Sequence, residues 1–387
     1  MRIRKATIYD LPLNSDADGT RQNPVILRID TDSGIYGCGE VGLAYGTGAH
    51  AAIAMLADLA RQFLIGADPG RVEWVWDQVF RQTFWGQGGG PVLYGALSAI
   101  DQALWDIKGK AAGLSVHEMM GGRVNDDLRL YANGWYRKKV QPAEYAEAAL
   151  RVVEKGYTAM KLDPFKLDEN GKLIYPRRHT SRARHDLAYE RLAAVREAVG
   201  DGIDILVEIH GNLGTMDAIK FGRRIADLDP YFMEEPVDAM NVESMRRIAE
   251  SVDVPIAGGE RLYTRYQFRP FIEQQALDIL QPDMGLCGGL TEAKKIAAHG
   301  ETYNLHVQPH NCGGPVSTAA CVQLDAGLTN FAIQEVFPFF DDGRYDIVTD
   351  AYETGIENGV IKVRELPGLG VSLNDDFLNR FERVEVD

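Results

Sequence analysis

The chain has 387 residues, 45% of them hydrophobic, with a formal net charge of −15. The length exceeds one ordinary domain and suits a (β/α) barrel plus a smaller unit. The charge argues against nucleic acid and anionic membranes as partners, and no apolar run reaches the roughly 18 residues of a membrane span. The opening Met1-Arg-Ile-Arg-Lys-Ala carries no apolar stretch of a secretory signal. Cys38, Cys287, Cys312 and Cys321 show neither zinc-like spacing nor a dense framework, so reduced thiols and a cytoplasmic location are expected.

Residues 1–12 and 25–32 read as strands, and the glycine-punctuated stretch 34–39 continues them as a hairpin or meander. Polar and glycine-rich loops fall at 14–23 and 44–50. Helical periodicity follows over 51–63, 71–84 and 93–112, the last strongly amphipathic. Strands followed by helices describe an α+β unit over residues 1–125.

From about Leu128 the rhythm changes to strand–helix alternation. Strands are expected at 128–133, 159–163, 205–210, 231–235, 255–260, 279–283, 306–310 and 331–335. Helices are expected between them at 143–155, 188–199, 215–226, 242–251, 266–274, 291–301 and 315–325. Eight parallel strands with intervening helices fit a closed barrel better than an open sheet, so 126–359 is assigned to a barrel. The charged stretch 164–184 is long for a βα loop and is expected to cover the top of the barrel. The tail from about 360 to 387 is expected to return to the N-terminal unit.

Every strand from the second onward finishes in an ionisable residue: Lys161 and Asp163, Glu208 and His210, Glu234 and Glu235, Glu260, Asp283, His310, and Glu335. In a barrel these ends share one face, where such folds keep their chemistry. Glu208, Glu234 and Glu260 recur at a step of 26 residues, each closing an apolar run. A step near 25 fits one strand, one helix and two loops. Three carboxylates brought to one point call for a hard divalent cation, because without one they repel each other.

The motifs Glu-Glu-Pro at 234–236, Gly-Gly-Glu-Arg at 258–261, Leu-Gln-Pro-Asp at 280–283 and Pro-His at 309–310 resemble the enolase superfamily, in its mandelate racemase-like group. The resemblance runs from the helix containing Ala99-Ile-Asp-Gln-Ala-Leu-Trp-Asp to Pro367-Gly-Leu-Gly. It implies an α/β fold: a modified (β/α)7β TIM-type barrel with an N-terminal α+β capping domain. It also implies Mg²⁺, with Mn²⁺ as a substitute, held by Glu208, Glu234 and Glu260. Many relatives carry Asp at the position of Glu208, and the longer side chain is expected to shift the ion.

In similar enzymes a His–Asp dyad, here His310 with Asp283, removes the proton next to a carboxylate. In similar acid-sugar dehydratases a histidine at the position of His210 protonates the departing 3-hydroxyl. Racemases and lactonising relatives carry Lys-x-Lys on the second strand, where this chain has Lys161-Leu-Asp163. Asp163 is a poor replacement for a lysine base, which disfavours two-base 1,1-proton transfer. The pattern is most similar to the galactonate dehydratase-like members. Lys161 is expected to support a substrate carboxylate, with a salt bridge to a neighbouring acid as the alternative. Glu335, if protonated among other acids, would hydrogen-bond a substrate carboxylate.

The expected activity is Mg²⁺-dependent dehydration of a small anionic sugar acid to a 2-keto-3-deoxy acid by a homo-oligomer. A cycloisomerase or epimerase of a sugar acid or lactone is the alternative enzyme, and a non-catalytic barrel homologue the alternative of another class. For the distal end of the substrate, candidates are the 14–23 and 45–50 loops, Trp85, Tyr136, Arg265 and the 164–184 insertion. Trp105 and Trp135 read as core.

Overall fold

A computed structural model describes residues 1–13, 23–43, 47–173, 179–340 and 343–387. The expected 14–23 loop therefore lies almost wholly outside the described residues, as do the tip of the 45–50 loop and residues 174–178 of the insertion.

The N-terminal unit contains strands β1 (Ile3–Asp10), β2 (Val25–Thr31) and β3 (Tyr36–Val41) in an antiparallel meander. Helices α1 (Ala49–Leu59), α2 (Val72–Gln82) and α3 (Pro91–Ala112) follow. α3 starts at Gly90 with Pro91 in its first turn and stops at Gly113, whose φ of 69° admits a left-handed terminus. Its central turns are buried all round, because β3 lies directly on them. A Cβ on Gly39 would sit 1.9 Å from the Ala99 carbonyl oxygen, so only glycine permits this approach.

A short helix α4 (Val116–Met119) leads into eight parallel strands. These are β4 (Asp127–Ala132), β5 (Ala159–Leu162), β6 (Asp204–Glu208), β7 (Phe232–Glu234), β8 (Ile256–Gly258), β9 (Ile279–Leu280), β10 (His306–Val307) and β11 (Gln334–Val336). β11 pairs with β4, and just before it Phe331 bridges to Val307 of β10, so the eighth strand touches both the seventh and the first. This contact closes the barrel. Seven helices connect the strands: α5 (Pro142–Glu154), α6 (Arg182–Val199), α7 (Thr215–Ile225), α8 (Val242–Ala249), α9 (Thr264–Glu273), α10 (Gly289–Glu301) and α11 (Pro315–Asp325). Side chains of Tyr131, Leu206, Phe232, Ala257, Ile279 and Ile333 form a separate buried cluster, drawn from strands around the barrel.

Most barrel strands are shorter than the apolar runs suggest. The run 205–210, for example, leaves strand geometry after Glu208, and the chain turns so that His210 takes a φ of 51°. The tail also differs from expectation. β12 (Val360–Lys362) pairs antiparallel with β4 on the barrel, and α12 (Asp375–Leu378) follows it. Only β13 (Glu382–Val386) reaches β1 to complete the N-terminal sheet. Between these strands Leu369 and Leu373 donate their amides to Asp106 and to the Tyr36 hydroxyl, and Asp375 pairs with Arg28, so the tail touches both units.

Buried polar groups join the two units. Glu40 of β3 accepts hydrogen bonds from the Gly314 and Ser317 amides, at 2.5 and 3.0 Å, at the start of α11. Asp101 of α3 accepts from the Thr291 amide at 3.0 Å at the start of α10. Both carboxyls lie where helix amides lack intrahelical partners. Gln102 ties the Glu40 backbone to the Met284 carbonyl, and the Gly288 amide donates to Ser98.

Candidate active site

The parallel register brings the strand-end carboxylates together. Glu208 on β6 is the register partner of Glu234 on β7, so their side chains emerge side by side. Glu260 follows β8 through Gly258-Gly259. Gly259 has a φ of 142°, and a Cβ there would lie 2.7 Å from the Phe268 ring. One oxygen from each of Glu208, Glu234 and Glu260 lies within 4.8 Å of the others. All three side chains are buried or nearly so.

Lys161 on β5 enters this group. Its Nζ donates to both oxygens of Glu234, at 2.9 and 2.8 Å, and lies 3.0 Å from Glu335 and 3.5 Å from Glu208. Burial alone would favour a neutral amine, but Glu234 and Glu335 outweigh it and hold Lys161 well above the usual lysine range. Burial first, then Glu208, pushes Glu234 well above the ordinary carboxyl value. Glu208, Glu234 and Glu335 thus share one ammonium. Glu208 Oε2 is buried and has no hydrogen-bond partner. A converging set of hard oxygens, one of them orphaned, fits a divalent cation such as Mg²⁺ or Mn²⁺.

Two histidine–carboxylate pairs complete the site. His310, after β10, lies 2.7 Å through Nδ1 from Asp283 Oδ2, and its Nε2 lies 3.1 Å from Glu260. Burial lowers the His310 pKa, but Glu260 leads a set of neighbours that raises it well above the ordinary value. Burial also raises Glu260, yet His310, His210 and Arg261 together bring it down to about 2. His210 lies 2.7 Å through Nδ1 from Asp163 Oδ2, while its backbone amide donates to Glu208 Oε1 at 2.6 Å. Burial lowers the His210 pKa, but Glu208 and Asp163 outweigh that and raise it to about 10. An Nδ1–H donated to the carboxylate in each pair leaves Nε2 on the far side of the ring.

A cavity of about 310 Å³ opens over these residues. Lys161, Asp163, Glu208, His210, Glu260 and His310 all line it. Tyr136 lines it too, as do Lys166 and Leu173 of the 164–184 insertion. Two other specificity candidates lie elsewhere. Arg265 pairs with the buried Glu292, and Trp85 is exposed beside a different cavity. Trp135 is buried as expected, and Trp105 is half-buried with its indole N–H donating to Thr291 Oγ1.

Glu335 and Lys161 each have protein partners in this structure. Burial raises the Glu335 pKa, but Lys161 and His310 outweigh it and lower the group, and its oxygens accept from Asn133 Nδ2 at 2.8 Å and the Asn311 amide at 3.0 Å. Lys161 forms the alternative salt bridge, with its ammonium on Glu234 and Glu335. Asp163 acquires a role that sequence reasoning left open, as the partner of His210. Its only signal in sequence was its place at a strand end. Asn133 and Asn311 were not singled out in sequence, and Arg261, which holds Glu235 in an ion pair, was visible only as the end of the Gly-Gly-Glu-Arg motif.

Known proteins are similar to most of this chain. Residues 144–377 match the enolase C-terminal domain-like model, and 10–121 match the N-terminal domain of mandelate racemase / muconate lactonizing enzyme. The chain belongs to the enolase superfamily. It is 36% identical to a D-galactonate dehydratase of Variovorax paradoxus, over 91% of this chain and 89% of that protein. It is 35% identical to another from Ralstonia pickettii, over 97% and 93%. A crystal structure of a candidate dehydratase from Mesorhizobium loti superposes with a TM-score of 0.94 at 41% identity, covering 100% of both chains. The enolase-superfamily barrel with its N-terminal unit is thus common to all of them.

Proposed function

We propose that this enzyme is a Mg²⁺-dependent dehydratase of a sugar acid. The coarser part, a sugar-acid hydro-lyase, rests on full-length similarity to D-galactonate dehydratases. The observation supporting the finer part is the pair of His–Asp dyads on one cavity. Two imidazoles, each held through Nδ1 by a carboxylate, suit removal of one proton and delivery of another, as elimination of water requires.

In this reading the unprotonated His310 ring takes the C2 proton at Nε2, which faces Glu260 at 3.1 Å in this structure, and Asp283 holds the ring and supports its positive charge. His210 donates a proton to the departing 3-hydroxyl. The Asp163 carboxylate, 2.7 Å from Nδ1, supports the protonated ring of His210 and so suits it to act as an acid. Lys161 cannot serve as a second base, because its ammonium is spent on carboxylates. Glu208, Glu234 and Glu260 would hold the metal, and the chemistry it supplies when bound is positive charge beside the developing enediolate. The released enol ketonises to a 2-keto-3-deoxy acid.

The test is a screen of a sugar-acid library with semicarbazide detection of 2-keto product, repeated in D₂O. Loss of water with a 2-keto product supports dehydration. Solvent deuterium at C2 without loss of water would instead establish an epimerase. We place the protein in the cytoplasm as a homo-oligomer, with no nucleic-acid or membrane partner. Among the described residues no helix is long and apolar enough to cross a membrane.

A further inference from the structure

Lys161 is the one ammonium inside a ring of carboxylates, and its geometry sets it apart from an ordinary ion pair. Its side chain is 2% exposed, and those of Glu208, Glu234 and Glu335 are 1%, 0% and 0% exposed. An ammonium has three N–H donors and no acceptor. Here they meet Glu234 through both oxygens, Glu335 at 3.0 Å and Glu208 at 3.5 Å. Without a cation at this point three buried carboxylates would repel one another at close range, in a medium that screens poorly.

The sharing is unequal, and that inequality carries the inference. Among the described residues Glu208 Oε2 has no hydrogen bond, and it lies 3.5 Å from Lys161 Nζ, farther than either oxygen of Glu234. Glu260 faces His310 rather than the lysine. Glu234 alone has both oxygens taken by Lys161. Of the three carboxylates proposed to hold the metal, Glu234 is the one whose availability the lysine controls.

We propose that Lys161 is a resident counter-cation that assembles the carboxylate cluster in the metal-free protein and competes with the incoming dication for Glu234. It is a positioning residue, and the proposal rests on the reading of Glu208, Glu234 and Glu260 as the metal site. Two effects then act in the same direction when its charge is removed. The metal-free state loses its internal counter-ion and becomes less stable. The metal-bound state loses a like-charge neighbour and becomes more favourable. A neutral residue at 161 should therefore make the fold lean on the metal while tightening metal binding.

The experiment measures Mn²⁺ affinity, from the electron paramagnetic resonance signal of free Mn²⁺, and the melting temperature in EDTA and in excess Mn²⁺. The proteins are the full-length wild type, Lys161→Met and Lys161→Met/Glu335→Gln. The expected result for Lys161→Met is a lower melting temperature in EDTA, a deficit that closes in Mn²⁺, and a Kd for Mn²⁺ tighter by about tenfold or more. In the double variant one negative charge leaves with the positive one, so both changes should shrink. A packing defect at residue 161 would do otherwise: it would lower melting equally with and without Mn²⁺, and the second substitution would not relieve it. That outcome overturns the proposal, as does an unchanged or weaker Kd in Lys161→Met. If Lys161→Met folds only with Mn²⁺, the proposal stands. If neither variant folds with Mn²⁺, it falls. Wild type that binds no Mn²⁺ would remove the metal site itself, a failure distinct from the other two.

Discussion

Glu208 shows how much one side chain can join. Oε1 accepts from the His210 amide at 2.6 Å, while Oε2 is left without a hydrogen bond among the carboxylates. One residue thus braces the turn that carries the proposed acid and offers an oxygen to the proposed metal. His310→Asn removes the base and should lower kcat by about 10³-fold or more, with Mn²⁺ binding retained. A variant of normal activity would refute its role. Asp163→Asn would free the His210 ring to take the wrong tautomer. kcat should drop by about 10²-fold while KM changes little, as steady-state kinetics on the sugar acid found in the screen would show. Dialysis against EDTA should abolish turnover and Mg²⁺ should restore it. Full activity in chelator would remove the metal from the mechanism. Lys161 and Asp163 were visible in sequence as strand-end charges, but their partners were not. Which acid an ammonium meets depends on the register of β5, β6 and β7, which pairs Glu208 with Glu234 and sets Lys161 beside β6.

At the scale of elements, α3 and β3 work as one device. Glycine on β3 lets the strand lie against α3, and both then present carboxyls to barrel helices. Glu40→Ala would leave the Gly314 and Ser317 amides unpaired and should destabilise the protein by about 1–3 kcal/mol in denaturant titration. Asp101 gives a pH signature. Burial raises it to about 7, and its Oδ1 has no hydrogen-bond partner. The folded state therefore binds a proton at Asp101 that the unfolded chain, with an ordinary aspartate, has released between about pH 4 and pH 7. Its contribution to stability is complete below about pH 4 and is lost as pH rises through about 7. Asp101→Asn keeps the acceptor for Thr291 without the titration. The wild type should lose melting temperature relative to the variant between about pH 4 and about pH 7 and level off above that, and parallel curves would refute the assignment. The amphipathic period of α3 was legible in sequence. Its buried carboxyls were not, since a period marks a buried face without saying which helix terminus waits there.

Over the whole molecule, one large hydrophobic cluster runs from Tyr9, Leu11, Ile26 and Cys38 of the N-terminal unit through the barrel helices. With the buried carboxyl links this makes separate melting of the two units unfavourable. Calorimetry of the metal-loaded protein should show a single transition, and two resolved transitions would contradict that coupling.

The sequence by itself determined the eight-strand alternation, the N-terminal meander and helices, and which residues gather at the strand ends. Those features follow from local periodicity, and a parallel barrel sends every strand end to one face whatever the details. Tertiary structure alone decided the pairings at that face: Lys161 with Glu234, Asp163 with His210, and Glu335 with Asn133 and Asn311. It also decided that Val360–Lys362 lies against β4 and that Glu40 and Asp101 meet helix termini far along the chain. The physical reason is distance. Charge pairing and desolvation depend on separations of a few ångströms between residues tens to hundreds of positions apart, and no local pattern encodes those separations.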